Sequence, residues 1–291
     1  MRGKSSAEHN LDLDKQSINE LFQRSLIFRD SSQYFNFFSF IAKFTYYSHY
    51  NAMLIYLQNS EVEFFGSPGF WEREFSRKIK ENARPYIALL PFGPCMLVYD
   101  IFDTEGKESP EEIIEKGIQG GVYRVNGHIP SNLMSDVVET ANTWGISIKA
   151  DFLRFNFGGY ITAKIGNDEQ PFIVLHEKAT AEESFKTLTH ELGHLFLGHL
   201  GEKRLVRKVR QKNGKVKEET LVIKDRSFLD KDMREIEAET VSFLICSRLF
   251  LKTRAAEYLS AHLDETNLEC VDVQTIITTS DRIEKTFFGN K

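Results

Sequence analysis

Residues 190–194 read His190-Glu191-Leu192-Gly193-His194, within a stretch of helical periodicity that runs from Thr180 to Leu200. Positions four apart on a helix differ by about 400° of rotation, or about 40° net, so both histidines face the same side. Two such imidazoles can bind one zinc ion, and the glutamate beside them can take a proton from a zinc-bound water. The motif therefore predicts a hydrolytic zinc site. The alternative is an amphipathic helix with two exposed histidines.

The flanking sequence predicts an α+β fold. Thr180 and Glu183 form a capping box, Thr-x-x-Glu, which marks the start of the motif helix. Short β-prone runs at 146–153, 159–164 and 172–175 come before it, and Asn213-Gly214 predicts a hairpin after it. Further helices are expected at 130–144, 229–251, 254–262 and 271–288.

A third metal ligand must come from another part of the chain. On a helix that continues to residue 200, His199 points about 140° away from His194, which favours a role as a C-terminal cap. Glu235 and Glu239 lie four residues apart on the next predicted helix and share a face, whereas Glu237 points off that face. We expect Glu235 to complete a His-His-Glu set, and Glu239 to accept a hydrogen bond from a ligand histidine. A solvated acidic helix start is the alternative.

The first part of the chain has a different organisation. Helical spacing recurs over 14–30 and 33–58, a short helix is expected at 70–80, and β-prone runs at 85–90 and 96–102 predict a hairpin. A polar, glycine-rich stretch at 103–121 indicates a boundary. We therefore predict a helix-plus-hairpin domain at 1–120 and a second domain, with a small mixed sheet and an active-site helix, at 121–291.

Composition limits the classes of function. The 291 residues carry a net charge of −5 and include 24 phenylalanines, which excludes wholesale disorder. Because 37 basic residues are balanced by 42 acidic ones, a general polyanion binder is disfavoured. Three widely spaced cysteines and no apolar leader favour a reduced cytoplasmic protein, and no apolar run approaches the ~18 residues of a membrane span.

The motif and the following glutamates resemble a known family. His190-Glu191-Leu192-Gly193-His194-Leu195-Phe196-Leu197-Gly198-His199, followed by Glu235-Ile236-Glu237-Ala238-Glu239, is similar to the ImmA/IrrE metallopeptidases. The resemblance covers about residues 145–291. It implies a zincin-like peptidase with one Zn²⁺ per chain, which cuts a partner repressor of the helix-turn-helix type in stress or anti-phage regulation.

The N-terminal half resembles the ArdC-type antirestriction domain, which is associated with single-stranded DNA. The similar segments are 51–58, 69–71, 76–80 and 98–106, and the match spans about residues 15–110. Cations interleaved with aromatic side chains supply phosphate charge and stacking surface together. The candidate residues for binding single-stranded DNA are Trp71, Arg73, Arg77, Lys78, Lys80 and Arg84. The alternative is that the aromatics form a core and the charges a solvated face.

This pairing of domains is also that of the CapP-like regulatory peptidases of anti-phage operons, which makes single-stranded DNA a candidate activator. Cys95, in a predicted loop after Gly93-Pro94, could act as an inhibitory fourth zinc ligand, or could be a small buried residue at a strand end. The segment 203–217 carries eight basic residues and no acid, and it either tracks DNA or forms a solvated hairpin.

Two other classes stay open at this point. One is an antirestriction or DNA-binding protein whose zinc is structural, with four protein ligands, or vestigial. The other is a toxin-like or transfer-associated metalloenzyme that acts on something other than protein. For a peptidase, substrate is expected to add a strand at an edge strand near 172–175, and Tyr160, His176 and His199 are candidate oxyanion stabilisers.

Overall fold

The computed structural model describes residues 30–90, 95–114, 129–154, 158–162, 170–211, 214–263 and 265–288. These residues form helices and small sheets, which confirms the α+β class. The chain divides into two compact units. The larger comprises Met1–Asn36, Ile129–Cys246 and Thr253–Lys291, and the smaller comprises Phe37–His128 and Ser247–Lys252. The division into functional domains at 1–120 and 121–291 stays a prediction.

The described residues of the smaller unit form helices and short antiparallel strands. Its strands form one sheet in the order β1-β4-β3 and a separate β2-β5 pair. The elements in chain order are α1 (Ser31–Lys43, which begins in the larger unit), α2 (His49–Gln58), β1 (Phe65–Gly66), α3 (Pro68–Phe75), β2 (Lys78–Ile79), β3 (Tyr86–Leu89), β4 (Cys95–Asp100) and β5 (Thr104–Glu105).

Two amide side chains of α2 cover the outer edge of β3. Asn51 accepts a hydrogen bond from the backbone N–H of Leu89 (2.8 Å) and donates one to its carbonyl (3.0 Å). Two turns further along the helix, Gln58 makes the same pair of bonds to Ile87, at 2.8 and 3.0 Å. Since an uncovered edge strand is a template for pairing with another chain, these amides take the place of a neighbouring strand.

The larger unit contains the sheet and helices around the predicted motif. Its elements are α4 (Leu133–Thr143), β6 (Ser147–Asp151), β7 (Gly159–Thr162), β8 (Phe172–His176), α5 (Ala181–Phe196), β9 (Lys203–Arg210), β10 (Val216–Ile223), α6 (Lys231–Arg248, whose last two residues lie in the smaller unit), α7 (Ala255–His262), α8 (Glu265–Cys270) and α9 (Val273–Phe287). No helix within the described ranges has the length and apolarity needed to cross a membrane.

The three-stranded sheet has β8 at its centre, which corrects the expectation that residues 172–175 form an edge. Ile173 of β8 pairs with Ile148 of β6 in the parallel sense and with Ile161 of β7 in the antiparallel sense. A continuous apolar run is typical of a strand that is covered on both sides. The edges of this sheet are β6 and β7, and β7 packs against α5.

Helices α5 and α6 approach closely where the motif glycine meets a small residue. The capping box is present, because Thr180 accepts from the N–H of Glu183 (3.2 Å) while the carboxylate of Glu183 accepts from the N–H of Thr180 (2.8 Å). A Cβ built on Gly193 would lie 3.3 Å from the backbone of Ala238. Because Gly193 and Ala238 are small, the two helices can approach closely, and side chains of α5 and α6 come within contact distance of one another.

Candidate metal centre

Helices α5 and α6 bring three potential metal ligands together. His190, His194 and Glu235 each direct one ligand atom into a group in which all such atoms lie within 4.8 Å of one another. The two histidine Nε2 atoms are 3.1 Å apart. Glu235 lies 3.4 Å from His190 Nε2 through Oε2 and 3.6 Å from His194 Nε2 through Oε1.

These separations fit a tetrahedral zinc site. Ligand bonds of about 2.0 to 2.1 Å at tetrahedral angles place neighbouring donor atoms about 3.3 to 3.4 Å apart. The three observed distances of 3.1, 3.4 and 3.6 Å scatter around that value. Two imidazoles and one carboxylate are also a donor set that zinc accepts, and they leave a fourth position for another ligand.

The charges around these side chains favour a cation. Burial by itself lowers the pKa of His190, but hydrogen bonds to Glu235 and Glu239 outweigh burial and raise that pKa to about 9. Interactions with His190 and His194 hold the pKa of Glu235 far below its usual range. The site therefore stabilises positive charge, whether it is carried by a proton or by a metal ion.

Glu191 lies beside this group in a buried position. Its carboxylate accepts a hydrogen bond from the backbone N–H of Ile161 on β7. Burial raises the pKa of Glu191, although the neighbouring His190 and His194 partly oppose this. A carboxylate whose pKa is raised toward neutrality is better matched to accepting and returning a proton.

Glu239 contacts the outer nitrogen of one motif histidine. Its Oε2 lies 3.1 Å from Nδ1 of His190 and accepts a hydrogen bond from Lys186 at 2.8 Å. Burial alone would raise the pKa of Glu239, but His190 and Lys186 lower it. The bond to Nδ1 holds the ring of His190 with Nε2 toward Glu235.

The end of α5 differs from the sequence prediction. The helix stops at Phe196 instead of residue 200, because Gly198 adopts a left-handed conformation with φ of 82°. The N–H of Gly198 donates to the carbonyl of Leu195 (3.1 Å), and the N–H of His199 donates to the carbonyl of His194 (3.0 Å). These two bonds form a Schellman turn. His199 is consequently carried back beside His194 instead of pointing away from it.

His199 is therefore not the helix cap that its spacing suggested. Its Nδ1 lies 3.0 Å from Nδ1 of His194, and its Nε2 lies 3.0 Å from Oε2 of Glu237. Glu237 accepts two hydrogen bonds from the guanidinium of Arg226, at 2.7 and 2.6 Å. Burial lowers the pKa of His199. Sequence reasoning missed this arrangement, and Gly198 was the local signal that could have revealed the turn.

The two remaining oxyanion candidates lie on strands of the same unit. Tyr160 is exposed on β7, and His176 ends β8 with its Nδ1 accepting from the N–H of Lys178 at 3.0 Å. His199 is 2% exposed, so among the three it is the least available to a substrate. An interaction of Tyr160 or His176 with a substrate stays a prediction.

The residues predicted to bind single-stranded DNA differ in how far they are exposed. Trp71 is 0% exposed and its indole N–H donates to the carbonyl of Tyr99 at 3.0 Å. Arg77 is 2% exposed and donates to the Thr104 hydroxyl (2.6 Å), the Thr104 carbonyl (2.9 Å) and the Glu108 carbonyl. The structure corrects the prediction for these two, because buried groups offer neither stacking surface nor phosphate charge. The exposed members are Arg73, Lys78, Lys80 and Arg84.

Cys95 is exposed at the start of β4 in the smaller unit, so it is not the buried strand-end residue of the alternative interpretation. Its proposed role as a zinc ligand stays a prediction. Cys246 is buried, and burial raises the pKa of its thiol to about 11.

Comparison with known families agrees with the geometry. Residues 147–263 match the family model for Peptidase M78, described as the IrrE N-terminal-like domain. The match runs from the start of β6 to the end of α7 and includes every side chain of the candidate metal centre. It supports a peptidase domain of the ImmA/IrrE type in this part of the chain. No curated protein and no solved structure gave a significant match.

Proposed function

We propose that this chain is a zinc-dependent endopeptidase. The observation that carries the proposal is the spacing of the His190 and His194 Nε2 atoms and the Glu235 oxygens, which is close to the separation of neighbouring ligand atoms around a tetrahedral zinc ion. A zinc ion bound there would lower the pKa of a water molecule and polarise a peptide carbonyl. Glu191 would accept the proton of the attacking water and return it to the leaving amine.

The substrate would lie extended along β7. Among the described residues this strand pairs only with β8, so its other edge is available for an added strand. Ile161 of β7 is also the residue whose N–H bonds to Glu191. A peptide on this edge would therefore have its backbone close to the proposed base.

A purely structural zinc is the competing interpretation of the same residues. Structural sites usually have four protein ligands, whereas catalytic sites have three and leave one position open. The group formed within the described ranges has three members. This favours the catalytic arrangement over an antirestriction or DNA-binding protein with a structural zinc.

We further propose that the substrate is a helix-turn-helix repressor encoded nearby, and that single-stranded DNA activates cleavage in stress or anti-phage regulation. This part rests on the family resemblance, together with the match of residues 147–263 to the IrrE-like domain. The proposed binding site for single-stranded DNA is formed by four exposed cations, Arg73, Lys78, Lys80 and Arg84.

Glu191→Gln tests the proposed reaction. The amide keeps the size of the carboxylate but cannot accept a proton, so we expect cleavage of the neighbouring regulator to fall by about 10²- to 10⁴-fold. Zinc content, measured by atomic absorption, should stay at one ion per chain. Cleavage is followed on gels with the purified regulator as substrate.

Glu269→Gln is the matched control, because Glu269 is an exposed glutamate on α8. It should cleave like the unaltered protein. Cleavage by Glu191→Gln at the unaltered rate would contradict the assignment of the base, and absence of zinc from the unaltered protein would contradict the metal site.

A further inference from the structure

A row of four hydrogen-bonded side chains leads away from the proposed metal site, and its two middle members, His199 and Glu237, are buried. It passes from His194 to His199, from His199 to Glu237, and from Glu237 to Arg226, with consecutive polar atoms between 2.6 and 3.0 Å apart. Glu237 is 0% exposed. A carboxylate at this depth needs hydrogen-bond partners, and Glu237 has three such bonds, one to His199 and two to Arg226.

Hydrogen-bond directions along the row follow from the anionic end. Arg226 can only donate, so Glu237 is the acceptor for it and is ionised. The carboxylate in turn accepts from Nε2–H of His199, and with one proton on that ring its Nδ1 is an acceptor. His194 must then donate from its own Nδ1, so Nε2 is the ring nitrogen left to bind a metal ion.

Nε2 is the nitrogen directed toward Glu235 and His190. His194 Nε2 lies 3.6 Å from the Glu235 carboxylate and 3.1 Å from His190 Nε2, which are the separations that fit a shared zinc ion. The row therefore selects the tautomer that a metal ligand needs, and it fixes the orientation of the ring.

We propose that His199, supported by Glu237 and Arg226, is a positioning residue that prepares His194 to bind the metal. The inference rests on the proposed function, since it assigns a role around the same metal. His190 is held by a carboxylate directly, through Glu239, whereas His194 is held by a carboxylate through an intervening imidazole. The two ligand histidines thus have different supports on the same helix pair.

The test compares two substitutions of His199 in the full-length protein. His199→Phe keeps an aromatic ring and removes the acceptor for His194, so we expect Zn²⁺ affinity to fall by about 10- to 100-fold, measured by competition with a chromophoric chelator. His199→Asn keeps an acceptor oxygen near the original Nδ1 position, so its Zn²⁺ affinity should fall less. The absorption spectrum of the Co²⁺-loaded protein should change for the phenylalanine variant.

Ser242→Ala is the matched control for removal of a buried hydrogen bond between α5 and α6. Ser242 bonds to the Thr189 hydroxyl (2.9 Å) and to the Lys186 carbonyl (3.1 Å), and neither partner belongs to the His190, His194 and Glu235 group. We expect this variant to be less stable to heat and to bind Zn²⁺ with unaltered affinity.

Two outcomes would overturn the inference about His199 without affecting the proposed function. One is a Zn²⁺ affinity of folded His199→Phe equal to that of the unaltered protein, which would mean that His199 only supports the fold. The other is an equal fall in affinity for the asparagine and phenylalanine variants, which would mean that the acceptor at Nδ1 has no role. Failure of the unaltered protein to bind Zn²⁺ would instead overturn the proposed function, and the inference with it.

Discussion

Asp100, at the end of β4, is a buried carboxylate that serves the fold of the smaller unit. Its Oδ1 accepts from three backbone N–H groups, those of Glu63 (3.3 Å), Phe64 (3.1 Å) and Ile101 (2.8 Å). Burial raises the pKa of Asp100, although these three donors partly oppose the shift. The carboxylate is needed as an acceptor, but its charge is disfavoured by its surroundings.

Asp100→Asn should separate these two effects. The amide oxygen can accept the same three bonds and carries no charge. Because the folded pKa of Asp100 is raised, its contribution to stability is present at acid pH and decreases as pH rises through that pKa. We therefore expect the asparagine variant to gain stability relative to the unaltered protein as the pH rises above about 4, the ordinary pKa of an aspartate, in urea unfolding followed by circular dichroism.

Asp100→Ala provides the contrast, since it removes the acceptor and leaves three donors unpaired. Its unfolding free energy should fall by about 1 to 3 kcal/mol at every pH. A stability difference between the asparagine variant and the unaltered protein that stays constant with pH would contradict the assigned direction of the pKa shift.

At the scale of elements, the turn after α5 decides which residues surround the metal site. Gly198 has φ of 82°, and a Cβ added there would lie 1.9 Å from the carbonyl oxygen of Lys224. Its own carbonyl accepts from the N–H of Arg226 at 2.9 Å. The same glycine therefore reverses the chain to place His199 and anchors the segment that carries Arg226.

Gly198→Ala should consequently damage both stability and metal binding. A non-glycine residue in the left-handed region costs about 1 to 2 kcal/mol, and the clash with Lys224 adds to that cost. Gly201→Ala is a close control, because Gly201 has φ of 86° with no atom within 4 Å of an added Cβ. We expect a larger drop in thermal midpoint for Gly198→Ala, with weaker Zn²⁺ binding in that variant only. Equal effects of the two substitutions would show that the clash with Lys224 is unimportant.

For the molecule as a whole, two sets of cations are candidates for binding single-stranded DNA. One set is the exposed side chains on the smaller unit, such as Lys78 and Arg84, and the other is the outward side chains of the β9–β10 hairpin, such as Arg204 and Lys208. On the hairpin, acidic residues of β10 lie close to some cations: Lys208 is 4.0 Å from Glu218, and Arg207 is 2.7 Å from Glu219. Local pairing of this kind reduces the charge available to phosphate. It also affects Arg73 of the smaller unit, which lies 2.6 Å from Glu74, so Lys78 and Arg84 are the cations to test on that unit.

Paired charge reversals would distinguish the two sets. We expect Lys78→Glu with Arg84→Glu to weaken oligonucleotide binding and to lower its salt dependence by about 0.7 in slope for each phosphate that these cations no longer neutralise. Arg204→Glu with Lys208→Glu should leave both nearly unchanged. The measurement is fluorescence anisotropy at several salt concentrations. Repressor cleavage that is indifferent to added oligonucleotide would contradict activation by DNA, whichever set binds it.

The sequence alone was sufficient for features that depend on local periodicity. The capped start of α5, the shared face of His190 and His194, and the shared face of Glu235 and Glu239 all follow from helical geometry. Such features hold wherever the helix lies, so they need no knowledge of the rest of the fold.

Tertiary structure alone decided the features that depend on residues far apart in the chain. His199 and Glu237 come together because the turn at Gly198 packs against the segment that carries Arg226. The central position of β8 required strands on both of its sides, and the burial of Trp71 and Arg77 required the strands of the smaller unit to close over them. Helical periodicity is set within a few residues, whereas burial and hydrogen-bond partners are set by whichever distant segment packs against them.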